Sequence, residues 1–74
     1  MKIQYDREAD ALYIQLRRAK PHHNVEIPEA RGISIDVDRE GRIVGIEVLD
    51  ASKLLGEDLG QVTVENLLTT LPVA

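Results

Sequence analysis

Cysteine, tryptophan and phenylalanine are all missing from this chain of 74 residues, and two tyrosines are its only aromatic residues. Without cysteine there is no disulfide, no thiolate metal site and no thiol nucleophile. Without larger aromatics, the core must be built from Ile, Leu and Val. No apolar run approaches the ~20 residues that cross a bilayer. The opening Met1-Lys2-Ile3-Gln4-Tyr5-Asp6 lacks the apolar segment of a secretory signal, so a cytoplasmic location and no membrane partner are expected. The five glycines are dispersed and make no phosphate-binding loop. Ser34 and Ser52 stand outside any Gly-x-Ser-x-Gly context, which leaves no serine nucleophile in a known setting. Positive charge is also short, with nine Lys and Arg against thirteen Asp and Glu. The one basic cluster, Arg17-Arg18 with Lys20, reads as a solvated strand end and loop, so direct nucleic-acid binding is not expected.

What is present is a globular composition, 43% hydrophobic and 30% charged, with a net charge of -4. The length fits a single domain, 1–74, and a chain this short buries only about 60% of its unfolded surface. Association with a copy or a partner is the natural remedy for so thin a core.

Period-two alternation runs through the first fifty residues. Ile3 and Tyr5 share a face of a first strand, and Leu12, Ile14 and Leu16 share a face of a second. The polar link Asp6-Arg7-Glu8-Ala9-Asp10 joins them, with Asp6 and Asp10 suited to accept nearby backbone amides. Residues 17 to 24 read as a loop, and Val25 and Ile27 as a brief strand stopped by Pro28. A second hairpin is expected around Asp38-Arg39-Glu40-Gly41, with Gly41 at positive φ and with Val37 opposite Arg42, Ile35 opposite Val44 and Ile33 opposite Ile46. Ile33, Ile35, Val37, Val44, Ile46 and Val48 then share one face. Ala51 to Leu55 reads as one helical turn stopped by Gly56, with Asp50 as a candidate cap. Thr63 to Leu71 reads as a further helix, its stripe of Val64, Leu67, Leu68 and Leu71 being the candidate interface. The expected class is α+β: an antiparallel β-meander of four to five strands with a short C-terminal helix.

Two motifs carry a family pattern. Tyr5-Asp6-Arg7-Glu8-Ala9-Asp10-Ala11-Leu12-Tyr13-Ile14 and Gly41-Arg42-Ile43-Val44-Gly45-Ile46-Glu47-Val48-Leu49-Asp50-Ala51-Ser52 resemble the family called domain of unknown function 2283. The resemblance spans residues 1–53 as a β core and leaves 54–74 as a C-terminal helical extension. It implies a small prokaryotic β-rich protein with no established activity. Because such proteins often resemble the second half of a toxin–antitoxin pair, it also implies an antitoxin-like role toward a small basic toxin.

Residue chemistry offers few sites. Asp36-x-Asp38-x-Glu40-Gly41 with Glu47 nearly reproduces a calcium-loop spacing, but strand alternation on both sides puts Glu47 far from the hairpin tip. Asp38 and Glu40 remain weak cation candidates. His22 and His23 are weak metal candidates too, since neighbours in an extended segment point apart. Asp6, Glu8 and Asp10 are explained by turn capping without catalysis. No catalytic residue and no cofactor is assigned. The expected function is a protein-interaction module, antitoxin-like by resemblance. The alternatives are a structural homo-oligomer, expected to be a dimer, and a small metal-dependent enzyme using His22 or His23 with carboxylates across a subunit boundary.

Overall fold

The computed structural model describes residues 1–68. Five strands, β1 (Lys2–Asp6), β2 (Ala11–Gln15), β3 (His23–Glu26), β4 (Ile33–Val37) and β5 (Ile43–Val48), form one antiparallel sheet. A short helix, α1 (Ala51–Leu55), and a 3₁₀ turn over Gly56–Gly60 follow. The α+β class is as expected, but the sheet is not a plain meander. Its order is β1-β2-β5-β4-β3, so β5 lies between the first hairpin and its own neighbour β4. After β2 the chain crosses to the far edge, and β3, β4 and β5 then walk back to meet β2. The last four strands therefore make a Greek key, with β1 added at the edge. Local alternation marks strands and hairpins, but it does not say which hairpin edge the last strand will join.

The register of the second hairpin differs from expectation by two residues, for two identifiable reasons. The tip closes between Asp38 and Arg42, with the Asp38 amide donating to the Arg42 carbonyl at 2.8 Å, so the loop is Arg39-Glu40-Gly41. Gly41 has a φ of 81°, as its turn position requires. Val37 accordingly pairs with Ile43. A bulge then opens beside Val37, and beyond it Ile35 pairs with Ile46 and Ile33 with Val48. One residue taken by the tip and one by the bulge sum to an even shift. Ile33 and Ile35 therefore still share a face with Ile46 and Val48.

Alternation and register sort the sheet into two unlike faces. One row runs Ile3, Ile14, Ile46, Ile35, Val25 across all five strands, and another runs Tyr5, Leu12, Val48, Ile33. The opposite face has Gln4, Tyr13, Glu47, Ser34 and Glu26 in one row and Gln15, Gly45, Asp36 and Asn24 in the next. On this polar face the Tyr13 side chain crosses over β5, and its hydroxyl donates to Asp36 Oδ2 on β4 at 2.9 Å. Only a glycine at position 45 permits this, because a Cβ there would fall inside the Tyr13 ring and hydroxyl and also meet the Ile14 carbonyl at 2.9 Å. Asn24 on β3 extends the chain of bonds, its Nδ2 donating at 3.0 Å to both Asp36 Oδ1 and Ser34 Oγ.

The expected helix from Thr63 to Leu71 does not form over its described part. Residues 61–68 hold no helix or strand, and Asn66 sits at a φ of 56°, which interrupts any right-handed run at its centre. A short amphipathic segment needs a surface to dock on, and this one rests on none. Val64, Leu67 and Leu68 are 64%, 60% and 71% exposed, while Leu71 lies outside the described residues. No described helix is long and apolar enough to cross a membrane.

Gly45→Ala is expected to destabilise the fold by about 1–3 kcal/mol through the forced displacement of Tyr13 and β2. Urea unfolding checks it. In a Gly45→Ala, Tyr13→Ala double variant the loss should be less than the sum of the single losses, because the clash with the tyrosine side chain is then absent and only that with the Ile14 carbonyl remains.

Candidate functional sites and the two sheet faces

Asp10 ties the first hairpin to α1. Its backbone sits at a φ of 50°, in the left-handed region that Asp tolerates better than most residues. Its carboxylate accepts the Tyr5 hydroxyl at 2.7 Å, the Ser52 amide at 3.0 Å and the Ser52 hydroxyl at 2.6 Å. Its carbonyl accepts the Ala51 amide at 3.0 Å. Asp10 thus caps a helix that starts forty-one residues later, and its role is not the local turn capping expected of it. Asp6 does act locally, accepting the Glu8 and Ala9 amides at 3.0 and 3.2 Å. Asp50, the expected cap of α1, occupies the N-cap position in a left-handed conformation but makes no side-chain cap bond. The Ser52 hydroxyl, then Tyr5, hold the Asp10 carboxyl below its ordinary range, and the bond to Asp10 raises the Tyr5 phenol. The two sequence motifs meet here, Tyr5 and Asp10 from one and Ala51 and Ser52 from the other.

Asp38 organises the β4–β5 tip. The residue is only 7% exposed. Its Oδ1 accepts the Glu40 and Arg42 amides at 3.0 and 2.9 Å, while Oδ2 accepts Arg17 Nη2 at 2.6 Å and Arg42 Nε at 3.1 Å. The Arg42 amide is the strongest influence on this carboxyl. With Arg17 and the Arg42 charge, it outweighs the raising effect of burial and lowers the carboxyl from 3.8 to about 2. Arg17 also donates from Nε to the Ile43 carbonyl at 2.9 Å. It is therefore a brace between β2 and the tip, a role its basic cluster did not disclose. The signal available in sequence was an arginine just past β2 and an aspartate opening a glycine turn, with nothing to say that the two strands adjoin.

The cation candidates of this region face arginines. Asp38 is saturated as described, and Glu40 Oε2 lies 3.6 Å from Arg42 Nη2. Asp36, one of the loop-like carboxylates, is held by Tyr13 and Asn24 on the polar face. Glu47 shares that face beside Tyr13 and Ser34, five residues along β5 from the tip. The His22 and His23 rings are 4.5 Å apart between centroids and do not point to opposite sides. Strand alternation fails for the pair because β3 starts only at His23, and His22 lies in the loop with its amide donating to the Val37 carbonyl at 2.8 Å. Among the described residues no group of three or more His, Asp or Glu gathers as a metal-holding set. Burial, then the Asp36 bond, raises the Tyr13 phenol above its ordinary range.

The apolar face is the largest feature that these networks leave unexplained. Its end residues Ile3 and Val25 are 49% and 46% exposed, and Leu12, Ile14, Ile33, Ile35 and Ile46 are only half-buried. Among the described residues the buried hydrophobics are Val44, Val48 and Ala51. The packing of α1 is chiefly with the 3₁₀ turn, and residues 61–68 run exposed.

Comparison with known proteins agrees with the two motifs that meet at Asp10. Residues 2–52 match the family described as a protein of unknown function (DUF2283). The chain belongs to this family. An uncharacterized protein of Methanocaldococcus jannaschii is 41% identical over 58 residues, which cover 78% of this chain and 47% of that protein. The chain thus spans about half the length of the curated relative it matches. No solved structure matches it.

The Asp38 carboxyl titrates lower in the fold than in the unfolded chain. Its contribution is therefore complete above pH 3.8 and is lost as pH falls toward about 2. Acid unfolding followed by circular dichroism should show this loss, and Asp38→Asn should flatten the pH dependence over that window. Asp10→Ala should lower the melting temperature and the hydrogen-exchange protection of the Ala51 and Ser52 amides. Asp10→Asn, which keeps the left-handed backbone accessible and one acceptor in place, should retain more of both.

Proposed function

We propose that this member of the DUF2283 family is a protein-interaction module whose docking surface is the apolar face of the sheet. The single observation that carries this reading is the row Ile3, Ile14, Ile46, Ile35, Val25, with both ends about half exposed. Contiguous apolar surface on a small protein marks an interaction site, because leaving it in water is costly. By contrast, the polar groups of the opposite face are engaged with one another through Tyr13, Asp36, Asn24 and Ser34.

A second reading, an antitoxin-like role toward a small basic protein, is favoured by the excess of four negative charges. Such a charge would raise the association rate with a basic partner and make the complex sensitive to salt.

Retention of proteins from host lysate by tagged chain, with and without Ile3→Lys and Val25→Lys, tests the main reading. A stoichiometric protein, which a second copy of the chain also counts as, should be held by the original and lost by the double variant. Equal retention by both would overturn the sheet face as the docking surface. Release of a basic partner by moderate salt would support the antitoxin-like role, and retention indifferent to salt would count against it.

A further inference from the structure

We infer that the occupant of the apolar face is a second copy of this chain, the two sheets packing face to face as a β-sandwich. This rests on the interaction reading above and names its partner.

Three observations select a second copy. First, the face is free of charge. By alternation it carries Ile3 and Tyr5 from β1, Leu12 and Ile14 from β2, His23 and Val25 from β3, Ile33, Ile35 and Val37 from β4, and Val44, Ile46 and Val48 from β5, of which Val44 and Val48 are already buried within the chain. No Asp, Glu, Lys or Arg is among them. The chain's net charge of -4 sits on the other face, the turns and the helix, so two copies can meet here without like charges facing each other. A charged partner would find nothing on this face to recognise.

Second, the face is self-complementary. The central row reads Ile, Ile, Ile, Ile, Val from edge to edge, with Ile46 of β5 at its midpoint. A two-fold axis near Ile46 lays the row across its own copy, as an isologous interface requires. Branched aliphatic side chains on two such faces interdigitate into a layer about 10 Å thick.

Third, the face is wide enough for a small interface and the chain leaves it open. Five strands at about 4.8 Å spacing and five residues of about 3.3 Å rise give a flat footprint of roughly 400 Å² per copy. Two copies give roughly 800 Å² before the relief of the side chains is added, below the ~1,200 Å² of standard interfaces, so the seam is a small one. The chain's own later residues do not take this place over the stretch described, since Val62, Val64, Leu67 and Leu68 are 60–71% exposed.

Light scattering and sedimentation of the full chain test the inference. The expected mass is twice the 8.3 kDa of one chain. Lysine at the half-exposed ends of the row, Ile3→Lys with Val25→Lys, should return the mass to that of one chain while the strand signal in far-ultraviolet circular dichroism persists. Lysine on the same two edge strands but on the polar face, Gln4→Lys with Glu26→Lys, should leave the dimer intact. This control separates face packing from edge-to-edge strand pairing. A single-chain mass for the unaltered protein at micromolar concentration overturns the inference, as does a dimer that survives Ile3→Lys with Val25→Lys. If the unaltered protein is a single chain yet holds a different protein that the Ile3→Lys, Val25→Lys variant loses, self-association is wrong and the interaction reading stands. If it is a single chain and holds nothing, both are wrong.

Discussion

The hydrogen bond from Tyr13 to Asp36 joins two strands that are not neighbours, and the architecture of the sheet depends on the gap it crosses. β5 lies between them, and Gly45 is the place where β5 carries no side chain on the polar face. The tyrosine ring lies over that gap and ties the first hairpin to the second. Asn24 carries the network on to β3. Three strands, β2, β4 and β3, are thus joined on one face by side chains as well as by backbone ladders. These polar groups bond one another, and among the described residues no buried side-chain donor or acceptor lacks a partner.

A second consequence follows on the other side of the same strands. With Tyr13, Asp36, Ser34 and Asn24 assigned to one face, strand geometry sends Leu12, Ile14, Ile33, Ile35 and Val25 to the opposite one. The polar network and the apolar row are two outcomes of a single alternation. A sheet so divided needs a second layer. α1 is one turn and a half long, and Asp10 anchors it at the first hairpin, so it cannot serve as a lid for five strands. The docking proposed for this face follows from that mismatch between the width of the sheet and the length of the helix.

Asp10 and Asp38 show how far a carboxylate's role can lie from its place in the chain. Each opens or closes a turn, and each is held down in pKa by donors from elsewhere: Ser52 and Tyr5 for the first, Arg42 and Arg17 for the second. Both read as ordinary turn or tip residues in sequence. In the fold, Asp10 joins the two family motifs and Asp38 braces the β4–β5 tip against β2. Asp10 accepts three side-chain and amide donors and Asp38 four, and the part each plays in the fold is structural.

The sequence by itself determined that there are five strands, the alternation that gives them two faces, the one-turn helix before Gly56, and the family, although it began β3 two residues late and closed the second hairpin one residue early. All of these are written in intervals of two to four residues, or in a contiguous motif. The tertiary structure decided the insertion of β5 between β2 and β4, the two-residue change in the hairpin register, the roles of Asp10, Arg17 and Gly45, and the absence of a helix over residues 61–68. The strand order and the roles of Asp10, Arg17 and Gly45 depend on groups far apart in the chain, where local periodicity holds no information. Register shows the division most plainly: beyond the bulge the two-residue shift keeps side chains on their faces, so the alternation that reveals the faces is blind to the shift.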